Sequence, residues 1–223
     1  MAGKMRVAQI SRSDAYVAIL ILGYVLLLLL LPILLEQGNF DFAFSEDGPF
    51  EQLSILAWII AALVIIVRIR PLGSRALAFA VLFMCFAARE ADWHKAFTAD
   101  SILKTNYYKH ASAPLGEKLI AVLVALLFIS LIVYAGIVIF RFLFLQGGWR
   151  SRSGFWLMFG SVLVVLGKML DRAPAILIEE YGIALHPIVG LYAAGFEEGL
   201  EMLHPLILAW SVWISQKETR YLD

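Results

Sequence analysis

Within GFEEGLEMLHPLILAWSVW, residues 195–213, three glutamates and a histidine lead into an apolar run. Glu197, Glu201 and His204 stand at i, i+4 and i+7 and so share one helical face. Glu90 and His94 repeat the i, i+4 relation, and Lys168, Asp171 and Arg172 fall at i, i+3 and i+4. Carboxylates and imidazoles gathered in one place are ligands for zinc, iron or manganese. Carboxylates beside cations are equally the apparatus of general acid–base catalysis. Glu201-Met-Leu-His204 reads as E-x-x-H, the unit by which two-metal carboxylate proteins hold iron inside a helix bundle. That architecture takes two such units, and in Glu90-Ala-Asp-Trp-His94 the histidine comes one residue too late.

A single-metal site remains open, with Glu201 and His204 as first ligands and His94, Glu198 or Glu90 completing it. A divalent metal such as zinc is the cofactor this set would hold. Glu90, Asp171 and Glu197 are the candidate catalytic carboxylates; Arg89, Lys168 and Arg172 are the candidate cations for an anionic head group. Each group also has a plainer reading. Glu197 and Glu198 near a helix N-terminus satisfy the positive end of its macrodipole. Arg89–Glu90 and Asp171–Arg172 are candidate ion pairs closing helix ends, and Lys168 offers Glu201 a countercharge that needs no metal.

These residues must be positioned by an all-α bundle in a membrane. The chain has 223 residues, 61% hydrophobic and 16% charged, against nearer a quarter charged in soluble domains. Its one cysteine, Cys85, excludes an internal disulfide framework, and a net charge of zero gives no reason to expect nucleic acid. Stretches of roughly 20 apolar residues predict six spans, at 15–35, 51–69, 75–95, 117–143, 154–173 and 190–214, in a single domain covering 1–223. The segment 174–189, with Glu179, Glu180 and two prolines, is expected to be a short interfacial or re-entrant piece before the last helix. The first stretch follows Lys4, Arg6 and Arg12, but it is too long for a signal h-region and lacks a small-residue cleavage site, so it is expected to stay as a helix.

Basic residues set the orientation. With both termini cytoplasmic, the inner segments hold 11 bases and three acids, a net of +8, and the outer side holds 7 bases and 15 acids, a net of −8. Counting about 1.5 Å per residue puts Glu197 roughly 5 Å below the outer boundary, Glu90 about 8 Å, Glu201 and Lys168 about 10 Å, and His204 about 15 Å. His94 falls at the boundary itself. An unpaired charge at depth costs at least ~2.5 kcal/mol, so these groups should face one another in a pocket opening outward. Gly195 and Gly199 form a small-xxx-small pair that lets a neighbouring helix come close.

Several chemistries lack their motifs. H-E-x-x-H, G-x-S-x-G and a glycine-rich phosphate loop are absent. So is the H-x-x-x-H pair that zinc-dependent membrane hydrolases of the alkaline ceramidase and adiponectin receptor type would require on a late helix. The expectation is a membrane-embedded, metal-dependent enzyme, a hydrolase acting on a lipid or amphiphile at the outer leaflet of a bacterial inner (plasma) membrane. The segment 96–116, with Tyr107, Tyr108 and Lys109, is the candidate lid. The alternatives are a cation- or proton-linked transporter and a non-catalytic accessory subunit. The partners expected are membrane lipid and either further copies of the chain or another membrane protein.

Overall fold

The computed structural model describes residues 11–98, 100–110 and 112–215. Among these residues the chain is helical, without strands: α1 (Arg12–Leu34), α2 (Gln37–Ala43), α3 (Pro49–Arg68), α4 (Ser74–Glu90), α5 (Trp93–Ala96), α6 (Thr105–His110), α7 (Leu115–Phe140), α8 (Arg152–Tyr181) and α9 (Pro187–Ile214). A π-helical turn, Arg141–Leu145, extends α7, and a short 3-10 turn, Gly148–Arg150, leads into α8. Four of these helices are long and apolar enough to cross a membrane: α1, α3, α7 with its π-helical extension, and α8. Two others differ for identifiable reasons. α4 is 17 residues long, and α9 is 28 residues long but carries Glu197, Glu198 and Glu201 near its middle.

Local sequence explains where the helices begin. Ser11 and Asp14 form a reciprocal capping box on α1, and Ser151 accepts from the Gly154 N–H at the head of α8. Pro49 and Pro187 open α3 and α9, where a missing N–H costs nothing.

Two boundaries depart from expectation. α8 does not stop before Pro174 but runs through it to Tyr181, ending on Gly182 at φ +66°. Losing one backbone bond to proline leaves fewer polar groups unpaired than ending the helix there would. At 30 residues α8 is about 45 Å long, longer than the ~30 Å hydrocarbon layer, and the segment 174–181 is its last two turns. α4, conversely, ends at Glu90 instead of reaching residue 95. Asp92 adopts a left-handed conformation at φ 55° and Lys95 folds back onto its carboxylate at 2.7 Å, starting the separate α5.

The core lies between α3, α4 and α9. Ala61, Ala62, Ala80 and Ala87 keep these backbones close while Trp58, Ile65, Phe83 and Leu208 fill the space. Along the other side of α9, Trp156 and Leu163 of α8 pack on Leu200, Leu203 and Ile207, with Val17 and Ile21 of α1 against them. At one end of the bundle the start of α1 meets the start of α8: the Asp14 carboxylate accepts from Arg152 Nε at 2.5 Å and Trp156 Nε1 at 2.9 Å. The ends of α3 and α9 meet nearby, where Arg68 donates to the Trp213 carbonyl at 3.1 Å. At the opposite end Phe40 of α2 rests on Gly195.

The small-xxx-small pair does bring a neighbour close. Leu28 of α1 sits directly over Gly199, with Leu28 Cγ 3.2 Å from where a Cβ would lie, and Tyr24 Oη donates to the Gly199 carbonyl at 2.9 Å. Gly199→Val should therefore lower the thermal midpoint in detergent, on the order of the 1–3 kcal/mol typical of overpacking. Leu28→Ala in the same chain should recover part of that loss. A loss that Leu28→Ala deepens would show that α1 does not seat on α9 at this point.

Candidate functional site

Near the far end of the bundle, α4, α8 and α9 each deliver ionisable side chains to one cluster. Lys168 Nζ lies 2.6 Å from Glu201 Oε1 and 3.3 Å from Asp171 Oδ2. Glu90 accepts from Arg89 Nη1 at 2.8 Å. The Glu90 and Glu201 carboxyl groups lie beside each other. The cluster is thus a row running Arg89–Glu90–Glu201–Lys168–Asp171. Glu90 and Glu201 are 8% and 7% exposed, whereas the Lys168 side chain is 41% exposed. The lysine thus reaches from the surface of α8 onto a buried carboxyl pair.

Further carboxylates form a rim. Glu197 lies within electrostatic reach of Asp171 and Glu201, and Glu198 within reach of Glu51 and Glu201. Glu51 itself accepts from the Asp47 backbone N–H at the head of α3. Acids outnumber bases throughout this layer. Arg89 is engaged by Glu90, and Lys168 by Glu201 and Asp171. Of the three cations expected to bind an anionic head group, only Arg172 has no ion pair shown among the described residues.

The expected metal ligands do not converge. His204 is 5% exposed, but its Nδ1 is bonded to the Leu200 carbonyl at 2.6 Å and its ring packs edge-on against Trp58 at 5.1 Å. His94 left the Glu90 face when α4 ended; it lies on α5, 3.8 Å from Asp92, where burial holds its imidazole below the ordinary range. Glu201 is occupied by lysine. Among the described residues no three His, Cys, Asp or Glu side chains are grouped to hold one ion. Glu201, His204, His94 and Glu198 are thus not gathered around one point, and the lysine gives Glu201 a compensating charge. The segment expected as a lid packs on the head of α7. Tyr107 of α6 is buried and donates to Glu117 at the head of α7 at 2.6 Å, which ties 105–110 to α7.

Three residues of the site escaped sequence reasoning. Ser54, 1% exposed, donates to the Glu201 carbonyl at 3.3 Å. Trp58, stacked on Phe86 at 4.6 Å, closes the floor beside His204. Tyr24 fixes the Gly199 carbonyl from α1. A signal existed for the first two: Glu51, Ser54 and Trp58 share one face of α3 at helical spacing.

Below the cluster the core is apolar. Trp58, Ile65, Ile207 and Leu208 separate it from the Asp14–Arg152 end. On the outer face of α8, an open groove of about 610 Å³ runs past Val164, Lys168, Met169, Arg172 and Ile176, all residues of that one helix. Lys168 therefore lines a surface groove and touches the buried carboxyl pair at once. No protein-family model, curated protein or solved structure matches the chain.

Removing one partner of such a pair strands the other. Lys168→Met and Glu201→Met should each destabilise the protein by about 1–3 kcal/mol, and the double substitution should recover most of that. Thermal unfolding in one detergent gives the full cycle; additive losses would mean that the two side chains do not interact.

Proposed function

We propose that this is a six-span protein of a bacterial inner membrane, both termini cytoplasmic, that hydrolyses an amphiphile at the outer leaflet. The Glu90–Glu201 pair is its acid–base centre. The observation that carries this reading is the place of Lys168, whose ammonium lies in the groove on α8 and 2.6 Å from the buried pair. A carboxyl beside a carboxylate is suited to activating water, since one takes a proton as the other gives one. Glu201 would accept a proton from the attacking water. Glu90 would donate its own to the leaving group, and the proton on Glu201 would then pass to the adjacent Glu90 carboxylate. Lys168 would stabilise negative charge developing at the reacting centre, with Asp171 positioning it.

The head group follows from the charge balance. An acidic rim of Glu51, Glu197 and Glu198 disfavours a simple anion, while Arg172 stands at the groove without an ion pair shown. A zwitterionic head fits both, its phosphate toward Arg172 and its amine toward the glutamates. The apolar groove wall would take an acyl chain.

Support for the topology comes from the charge split of +8 and −8, and from the gathering of the carboxylate cluster at one end of the bundle. α4 and α9 supply the two spans beyond the four apolar helices. A second reading has a specific observation behind it: the excess of carboxylates at the rim also suits a cation or proton site. Transport through the bundle is disfavoured by the apolar layer around Trp58 and Leu208, because a carrier's polar groups lie near the midplane and open to both sides.

Reconstituted protein should release the head group from zwitterionic phospholipid vesicles, followed by mass spectrometry. Glu90→Gln and Glu201→Gln should each reduce the rate about 100-fold or more, and chelators should leave it unchanged. Absence of turnover, together with proton or cation uptake abolished by Glu201→Gln, would replace the enzyme with the ion-binding reading. For topology, cysteines placed at Ser45 and Lys109 in a Cys85→Ala background should both react with an impermeant thiol reagent on intact cells. Protection of either position would overturn the orientation.

A further inference from the structure

At the opposite end of the bundle, a groove of about 860 Å³ runs between α1 and the start of α8. Its wall is apolar and aromatic, formed by Ala18, Ile21 and Leu22 on one side and Phe155, Met158 and Phe159 on the other. Its mouth is polar and basic, with Trp149, Arg150, Ser151 and Arg152. The one acid there, Asp14, is fully committed. Its Oδ2 accepts from Ser11 and Arg152, and its Oδ1 accepts from Trp156 Nε1. Arg152 directs Nε to Asp14 and Nη2 to Ser13 at 2.7 Å. Arg150 has no ion pair shown among the described residues; its guanidinium lies 4.9 Å over the Trp149 ring, exposed at the mouth. The groove thus joins an unneutralised arginine to an acyl-sized apolar channel, with an indole at their junction.

We propose that this groove is a binding site for an anionic phospholipid of the inner leaflet, its phosphate on Arg150 and an acyl chain along Phe155, Phe159 and Leu22. Charge complementarity selects the occupant. The mouth carries a net positive charge once Arg152 and Asp14 cancel, and basic pockets between membrane helices on the cytoplasmic side bind anionic head groups. Trp149 occupies the interfacial position that amphipathic rings favour. The site is separate from the Glu90–Glu201 cluster and does not depend on its chemistry, though it shares the inward orientation of the α1 and α8 starts.

The protein can be purified into nanodiscs of equal phosphatidylglycerol and phosphatidylcholine, transferred to detergent, and its retained lipid identified by native mass spectrometry. Wild type should retain phosphatidylglycerol over phosphatidylcholine by about fivefold, the order expected of one arginine at a charged membrane surface. Arg150→Gln, an exposed change that leaves the Asp14–Arg152 contact in place, should bring the ratio to about one. Ala15→Phe, which enters the groove from its exposed side, should lower the retained amount of both lipids. Equal retention by wild type, or a preference that survives Arg150→Gln, overturns the proposal. Glu201→Gln should retain lipid as wild type does, so failure of the outer-leaflet reading would leave this result standing.

Discussion

An ammonium and a carboxylate meeting between α8 and α9 hold the rest of this structure in register. In an apolar surround neither charge is tolerable alone. Lys168 and Glu201 can satisfy each other only if the two helices align to bring them within 2.6 Å. That alignment sets which residues of α9 face α3 and α4, and so places Glu201 against Glu90 and His204 against Trp58. Ion pairs of this kind contribute little net stability compared with well-packed apolar side chains. Their value lies in excluding other alignments, because any sliding of α9 by a turn would leave several charges unpaired.

The two ends of the bundle solve different problems. At one end Asp14 is surrounded by four donors from Ser11, Arg152 and Trp156, a closed network with no acceptor to spare. At the other the carboxylates exceed the cations, and Glu90 and Glu201 lie side by side. The closed end is a structural fastening. The open end keeps an excess of acceptors, which is what the proposed acid–base chemistry would need. Between them the layer of Trp58, Ile65, Ile207 and Leu208 keeps the cluster facing one side.

Close packing at glycine is what permits this arrangement. Leu28 over Gly199 and Phe40 over Gly195 seat α1 and α2 on the same helix that carries the acids, while Tyr24 ties off the Gly199 carbonyl. The helix is thus clamped on three sides: α1, α3 and α8. A clamped α9 gives Glu201 a fixed position, and a fixed position is a precondition for the narrow geometry that a catalytic carboxyl requires.

Much of this was determined by the sequence itself. The apolar stretches locate the starts of the six long helices within a few residues, and depth counting puts Glu90, Lys168, Glu197 and Glu201 in one layer, because helical rise is fixed by backbone geometry. The Gly195/Gly199 pair marks the face where a neighbour docks. Tertiary structure decided which of the convergent groups touch. Helix rotation turned His204 onto Trp58 and its own backbone, and no residue count carries that information. The end of α4 at Glu90 took His94 out of the site through a left-handed residue at Asp92, a boundary that periodicity does not specify. Proline at 174 reads as a stop, yet α8 continues because its apolar surroundings penalise exposed backbone more than one missing bond. Lysine comes within 2.6 Å of Glu201, since the packing of α8 on α9 fixes which countercharge comes within reach.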